Sequence, residues 1–138
     1  MRFVRLVLAL SLCAAASCGG DASVSPSTVS FTGDYTLKTI DGQNLPFVIT
    51  QFVGFSQAVA SSRLTIADGG SWSETRVRLT TQNAQTTQDT VVNSGTWVRS
   101  GNLLNLHSTV SGVTAFTGTF TGSQLNFTDF GYPYVFVR

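Results

Sequence analysis

Short runs of β-forming residues, separated by turn dipeptides, fill the chain from Phe31 onward. Thr, Val, Phe, Leu and Tyr dominate these runs, and such residues fit a pleated, half-buried sheet. Asp41-Gly42 and Asp68-Gly69 are pairs that tolerate positive φ and close tight hairpins. Helical periodicity does not occur beyond the N-terminal segment. The pattern therefore predicts an all-β domain.

The order of strands and turns also predicts how the sheet is organised. The predicted strands span residues 31–40, 46–52, 62–67, 71–81, 88–99, 103–109, 113–121, 124–129 and 134–138. Residues 53–60 leave three structures open: a strand, a lid-like loop or a short helical turn. Short turns without a long crossover favour an up-and-down antiparallel barrel of about eight or nine strands, because closure removes exposed edges. A β-sandwich is the alternative fold.

The first residues have the three-part plan of an export signal. Arg2 and Arg5 are followed by an apolar run over residues 6–13 and then by small residues. Such a segment enters the translocation machinery and is then removed. The uncharged stretch that ends at residue 18 is shorter than the roughly 20 residues that a membrane-spanning helix needs. We predict a signal peptide over residues 1–17.

The two cysteines have different predicted fates. Cys13 lies inside the apolar run and leaves with the signal peptide. Cys18 follows Ala15-Ala16-Ser17, which resembles the lipobox of bacterial lipoproteins, although that motif prefers Leu where this chain has Ala15. Ordinary cleavage after Ala16 is the alternative. A single remaining cysteine suits a lipid anchor better than a disulfide, so we predict that Cys18 is lipidated.

The predicted anchor places the protein in the cell envelope. Residues 18–30 form a flexible tether, and residues 31–138 form the barrel domain. Gly19 after the cysteine resembles lipoproteins that are passed on to the outer membrane, and secretion into the periplasm is the alternative. Loss of Arg2 and Arg5 from the eight basic side chains leaves fewer bases than the seven acids. Nucleic acid, which needs a basic surface, is therefore not a predicted partner.

Several short motifs of the predicted barrel domain resemble those of one family. They are Gly33-Asp34-Tyr35 with its continuation to Pro46, the stretch Ser94-Gly95-Thr96-Trp97, and the closing Tyr134–Arg138. Together they resemble the small lipocalin-like lipoproteins of bacteria, whose overall plan is similar to META-type domains; Tyr35 stands where a Trp is usual. The resemblance implies a barrel in which Arg138 packs over Tyr35, beside Gly33, and closes one end through a cation–π contact. It implies no activity.

Residues with catalytic or metal-binding chemistry are scattered. His107 is the only histidine, and the adjacent Ser108 points to the opposite face of the same predicted strand. No set of histidine, cysteine and carboxylate residues has metal-ligand spacing. The sequence therefore predicts no enzyme, no metal site and no cofactor.

A barrel that binds one small hydrophobic ligand is the first predicted function. The candidate ligand-contacting residues are Trp72, Arg76, Arg78 and Trp97. Ten phenylalanines, of which only Phe3 lies in the signal peptide, either line a cavity or fill the core. The short chain slightly favours a filled core.

One strand face decides whether charged groups reach the interior. Trp72, Glu74, Arg76 and Arg78 alternate onto that face. If the face points inward, its two arginines would bind an anionic head group such as a carboxylate. We predict that it points outward, because the intervening residues make a plausible inner row. Those residues are Ser73, Thr75, Val77 and Leu79.

The alternative function is a structural or interaction lipoprotein whose barrel is filled and takes no ligand. The candidate contact surfaces are the polar loop over residues 82–88 and the stretch from Phe52 to Phe55. Exposed aromatic rings at residues 52–55 would favour this interaction role, whereas a hollow interior would favour the ligand-binding role. The sequence leaves the oligomeric state open.

Overall fold

A computed structural model describes residues 30–110 and 115–138 of the chain. The predicted signal peptide and the predicted tether up to residue 29 lie outside the described residues, and so do the first two residues of the predicted strand 113–121. The described residues form β-strands only, and none of them belongs to a helix that could span a bilayer.

Ten strands follow one another along the described residues. They are β1 (Gly33–Ile40), β2 (Gln43–Asn44), β3 (Phe47–Phe52), β4 (Phe55–Ile66), β5 (Ser71–Gln82), β6 (Gln85–Ser100), β7 (Leu103–Ser108), β8 (Phe116–Thr121), β9 (Gln124–Asp129) and β10 (Tyr132–Val137). Residues 53–60, left open by the sequence, form a turn and the first half of β4.

Eight of these strands close into an antiparallel barrel. Strands β4 to β10 pair in sequence order, β10 pairs with β1, and β1 pairs with β4. This last ladder runs from Gly33 opposite Ile66 to Thr36 opposite Arg63. The predicted up-and-down antiparallel barrel is confirmed, and closure leaves the barrel itself without an edge.

A four-stranded sheet continues from one end of the barrel and is called the extension below. It consists of β3, the first half of β4, the end of β5 and the start of β6, paired in that order. Phe55 and Ile66 are the two ends of the twelve-residue β4, which at about 3.3 Å per residue spans roughly 35 Å. Because Ile66 pairs with Gly33, the tip of the extension lies at the opposite end of the molecule from the start of β1.

One cluster of buried apolar side chains fills the barrel. The ring of Trp72 on β5 packs edge-on against Phe116 on β8, with centroids 6.3 Å apart. Phe127 on β9 stacks on Phe136 of β10 at 5.0 Å. Strands β5 and β8 are three positions apart in the eight-stranded barrel, so aromatic rings cross the interior between distant walls. Such filling is typical of small eight-stranded barrels.

Gly95 on β6 is required by this packing. A Cβ atom at Gly95 would lie 1.8 Å from the carbonyl oxygen of His107 and 2.9 Å from Nε1 of Trp72. The same indole nitrogen donates to the carbonyl oxygens of Thr96 and His107, at 3.1 and 3.2 Å. Only a residue without a side chain lets the indole approach the backbone this closely.

Candidate functional site

The face of β5 that contains Trp72 points into the barrel, so the predicted outward orientation is wrong. Trp72, Glu74 and Arg76 are all buried, whereas Ser73 and Thr75 are exposed. The interior tolerates the charges because they pair with one another, and a buried ion pair with complete hydrogen bonding avoids an uncompensated charge.

Arg76 is the centre of a polar cluster within the barrel. Its Nε donates to Oε1 of Glu74 at 3.0 Å, and its NH2 nitrogen donates to Oε2 at 3.1 Å. Its NH1 nitrogen donates to Oδ2 of Asp129 at 2.8 Å. Ser62 and Asn93 donate to the two oxygens of Glu74 at 2.6 and 3.4 Å. Each of the three guanidinium nitrogens therefore donates to a carboxylate.

The Arg76–Asp129 ion pair spans the width of the barrel. Arg76 is on β5 and Asp129 ends β9, and these strands are four positions apart in the eight-stranded order, on opposite walls. Burial lowers the pKa of Arg76, but the charges of Glu74 and Asp129 and their hydrogen bonds outweigh it and raise the pKa overall. Arg76 therefore stays charged, and its ion pair with Asp129 crosses the interior at this level.

Tyr134 lies beside this cluster with its hydroxyl unpaired. Its side chain is fully buried, and its ring centroid is 5.3 Å from Cζ of Arg76. The hydroxyl has no hydrogen-bond partner among the described residues. Burial raises the pKa of this phenol, and the nearby Arg76 opposes the shift without cancelling it, so the pKa reaches about 12. Sequence reasoning does not find this group, because neither its burial nor its missing partner is visible in the pattern.

The four candidate ligand-contacting residues are not brought into one pocket. Trp72 packs in the apolar interior, and Arg76 is held by its carboxylates. Arg78 lies further along β5 in the extension and pairs with Asp89. Trp97 donates its indole N–H to the carbonyl oxygen of Ala67 at 2.9 Å and packs on Phe31. Both arginines already donate to carboxylates, with which an anionic head group would have to compete.

The end of the barrel where β1 begins is closed by both ends of the described chain. The Phe31 ring meets Trp97 edge-on at 4.8 Å, and Cζ of Arg99 lies 4.5 Å from the Phe31 ring centroid. The Tyr35 hydroxyl donates to the carbonyl oxygen of Phe31. Burial raises the pKa of Tyr35, and the charges of Arg138 and Arg99 oppose that shift.

Arg138 lies over this closed end. Its Cζ is 5.8 Å from the Tyr35 ring centroid, and its NH1 nitrogen donates to the carbonyl oxygen of Ser30. Gly33 gives the guanidinium room, because a Cβ atom there would lie 3.3 Å from Nε of Arg138. Gly33, Tyr35 and Arg138 are the three residues for which the lipocalin-like resemblance implies a barrel-closing role.

Two candidate surfaces that are distant in sequence meet at the tip of the extension. Phe55 pairs with Gln82 across the β4–β5 ladder, and the backbone N–H of Asn83 donates to the carbonyl oxygen of Gly54 at 3.0 Å. The Phe52 side chain is 61% exposed, and Val53 is fully exposed. Phe52 and Phe55 stack with centroids 4.6 Å apart and ring planes at 14°.

The predicted polar loop over residues 82–88 is a strand for most of its length, so that prediction is wrong. Gln82 ends β5, a two-residue turn follows, and β6 begins at Gln85. Thr residues favour the strand, and the Thr81 and Thr86 hydroxyls bond across it at 2.8 Å. A concave pocket of about 340 Å³ lies here, lined by Thr80, Gln82, Asn83, Gln85 and Thr87.

His107 is exposed on β7, and only its backbone takes part in the packing described above. Among the described residues, no three His, Cys, Asp or Glu side chains lie close enough to share a metal ion.

The fold and these surfaces define a small antiparallel β-barrel protein with a projecting sheet. Comparison with protein-family models, curated proteins and solved structures finds no match to this chain. The candidate functional site is placed at the extension tip because two candidate surfaces meet there.

Proposed function

We propose that this chain is a lipid-anchored protein of the bacterial cell envelope, whose filled barrel holds the tip of the extension for contact with another envelope component. The observation that carries the proposal is the tip itself, where Phe52 and Val53 are exposed next to a polar pocket. Neighbouring exposed apolar side chains of this size, one of them aromatic, are typical of interaction surfaces.

The interior supports a scaffold better than a ligand cavity. Aromatic rings bridge distant walls at one level, and the Arg76–Asp129 ion pair bridges opposite walls at another. A ligand that entered the barrel would have to break that ion pair and separate the buried carboxylate of Asp129 from Arg76, which costs several kcal/mol.

The direction of the chain supports a tip that points away from the membrane. The predicted lipid anchor, Cys18, precedes Ser30, and Ser30 lies at the closed end of the barrel under Arg138. The tip is at the other end of β4, roughly 35 Å away along the strand. An outer-membrane location, proposed from Gly19, leaves the tip free to reach into the neighbouring space.

The proposal is tested in cells with a photo-reactive amino acid at Val53. We expect irradiation to produce covalent adducts with envelope material, because this side chain is the most exposed of the tip. We expect Cys18→Ala to abolish incorporation of labelled palmitate, to release the protein into the soluble fraction and to reduce the adducts.

Two matched controls isolate the cause. Cys13→Ala changes the other cysteine and is expected to leave the label and the membrane location intact. A photo-reactive residue at Val98, which is exposed on the barrel wall, is expected to give few adducts. Labelling that survives Cys18→Ala would contradict the anchor, and equal adducts from Val98 and Val53 would contradict the tip as the contact surface.

A further inference from the structure

Two rows of side chains share one face of the extension. In the outer row, Phe52 is opposite Phe55, Phe55 is opposite Gln82, and Gln82 is opposite Gln85. The inner row continues two residues further along each strand, and its members are Thr50, Gln57, Thr80 and Thr87. Residues two apart on a strand face the same side, so these eight side chains form one surface, called the tip face below.

The tip face has no ionisable side chain. Its members are aromatic, amide or hydroxyl side chains. The next row toward the barrel contains Arg78 and Asp89, which neutralise each other in an ion pair. A charged ligand would gain no opposite charge from either row, so the tip face fits a ligand without net charge.

The free face of the Phe52 ring offers a flat apolar platform, supported from behind by Phe55. Phe52 and Phe55 stack at 4.6 Å, and Phe52 keeps most of its surface in water. The face of an aromatic ring is electronegative, so it attracts weakly positive C–H groups. The axial C–H groups on one side of a pyranose ring have that character and that flat shape.

The amides and hydroxyls beside the platform offer both donors and acceptors. The pocket of about 340 Å³ is lined by Thr80, Gln82, Asn83, Gln85 and Thr87, and its size is at the lower end of small-molecule sites, roughly 300–1,000 Å³. Each side-chain amide contributes an acceptor oxygen and two donor hydrogens, and each hydroxyl does both. Neighbouring sugar hydroxyls require this mixture, because each of them also donates and accepts.

We propose that the tip face binds a neutral oligosaccharide. One pyranose unit packs on the face of Phe52 that Phe55 leaves free. Gln82 and Gln85 lie two and three strands further across the sheet, and their side chains bond the hydroxyls of a further sugar unit. The inference deepens the proposed function and rests on it, since it names the chemical class of the envelope component that the tip contacts.

Two other occupants fit the same surface less well. Insertion of the tip into a lipid bilayer would bury the amides of Gln82 and Gln85 without hydrogen-bond partners, which is unfavourable. A phosphate-rich or acidic polymer would meet no cation on the tip face. An aromatic platform beside uncharged amides favours the saccharide over both.

The test measures binding of defined tetrasaccharides to the full chain carrying Cys18→Ala, purified from the periplasm. The probes are chitotetraose, cellotetraose and the anionic tetragalacturonate, and binding is followed by calorimetry and by NMR shifts. We expect at least one neutral probe to bind and the anionic probe not to bind. The chitotetraose and cellotetraose arms distinguish an N-acetylhexosamine polymer from a plain hexose polymer.

Variants locate the site. We expect Phe52→Ala and Gln85→Ala each to weaken binding about tenfold, because each removes one of the two interactions that orient the sugar. Phe130→Ala is the matched control: Phe130 is 62% exposed, close to the 61% of Phe52, but lies at the β9–β10 turn. The Phe130→Ala variant is expected to bind the neutral probe with the same affinity as the unchanged protein.

Three results would overturn the inference: no neutral probe binds, the anionic probe binds instead, or Phe52→Ala and Phe130→Ala have the same effect. Unfolding curves of every variant show whether a loss of binding comes from misfolding; if Phe52→Ala is misfolded, Gln85→Ala decides. Failure here leaves palmitate labelling and membrane location unchanged, so it is distinguishable from failure of the proposed anchor.

Discussion

At the scale of single residues, Tyr134 has the most unusual environment. Its phenol is buried against Arg76, and its hydroxyl has no partner among the described residues. A buried polar group without a hydrogen bond destabilises the folded state, because it loses the water that it bonds in the unfolded chain. Removing the hydroxyl alone keeps the ring and its stacking on Phe127.

We therefore expect Tyr134→Phe to increase the free energy of unfolding by about 1 kcal/mol near neutral pH. Above pH 10 the difference grows, because the unfolded phenol ionises with a pKa of 10.0 whereas the folded phenol keeps its proton up to about 12. Below pH 10 the raised pKa therefore contributes fully to the free energy of unfolding of the wild type. As the pH rises through 12, roughly 3 kcal/mol of that free energy is lost.

Urea unfolding of both proteins between pH 7 and pH 12 measures this difference. Tyr132→Phe is the control, because it removes a phenol oxygen from a less buried position on the same strand. Parallel pH profiles for wild type and Tyr134→Phe would contradict the expected burial of this phenol.

The inner face of β5 marks what the sequence can predict about single side chains. Alternation predicts correctly that Trp72, Glu74 and Arg76 share a face, but it does not say which face is inside. The large apolar ring of Trp72 is the signal for the inside. The charges beside it are accepted there because Asp129, 53 residues from Arg76, completes the cluster, and that partner depends on the closed barrel.

At the scale of elements, the β5–β6 hairpin has an unfavourable turn residue. Asn83 and Ala84 have φ angles of 50° and 63°. Asn tolerates this left-handed region, but the Cβ atom of an alanine is crowded there by about 1 kcal/mol or more. Two-residue hairpins of this kind prefer Asn-Gly.

We expect Ala84→Gly to increase the free energy of unfolding by about 1 kcal/mol, since the turn keeps its geometry and loses the crowding. Gly101 in the β6–β7 turn has a φ of 61°, so Gly101→Ala is the mirror experiment and should lower the free energy by a similar amount. Thermal unfolding of both variants tests the pair. A loss of stability in Ala84→Gly would contradict the strained turn.

The same hairpin shows why strand boundaries are only partly predictable. Asp41-Gly42 and Asp68-Gly69 indicate their turns by a glycine, whereas the turn at Asn83 contains no glycine. The first half of the strand that follows Asn83, β6, is exposed on both faces. A ribbon without a buried face has no apolar alternation, so its Gln and Thr residues read as a loop. The contact between Phe55 and Gln82 likewise depends on the β4–β5 register, which the pattern does not reveal.

At the scale of the whole molecule, the first described residues and the last residue of the chain together close one end of the barrel. The Arg138 side chain contacts Tyr35 and the carbonyl oxygen of Ser30. The backbone N–H of Arg138 donates to the carbonyl oxygen of Ser123 at 3.1 Å. These contacts join the last residue to the first strand, and so the stability of the barrel depends on residues at both ends.

We expect Arg138→Ala to lower the free energy of unfolding by about 1 kcal/mol, the value of an exposed cation–π contact. It should also raise the pKa of Tyr35 further, because the Arg138 charge now opposes the effect of burial. Arg138→Lys keeps a positive charge, so the pKa of Tyr35 should stay close to its wild-type value. The free energy of unfolding should still fall, because the flat guanidinium group that packs on the ring is lost. Ultraviolet titration and urea unfolding measure the two effects, and an unchanged pKa in Arg138→Ala would contradict the contact.

The position of the tip and of Ser30 at opposite ends of the described structure determines how the molecule would bear mechanical load. A pull between them runs along β4 and β1, whereas the hydrogen bonds of antiparallel ladders lie across the strands. Force applied in this direction shears many bonds at once instead of breaking them one after another. A barrel loaded in this way resists extension in its strongest direction, as the proposed contact between a membrane anchor and a second envelope component would require.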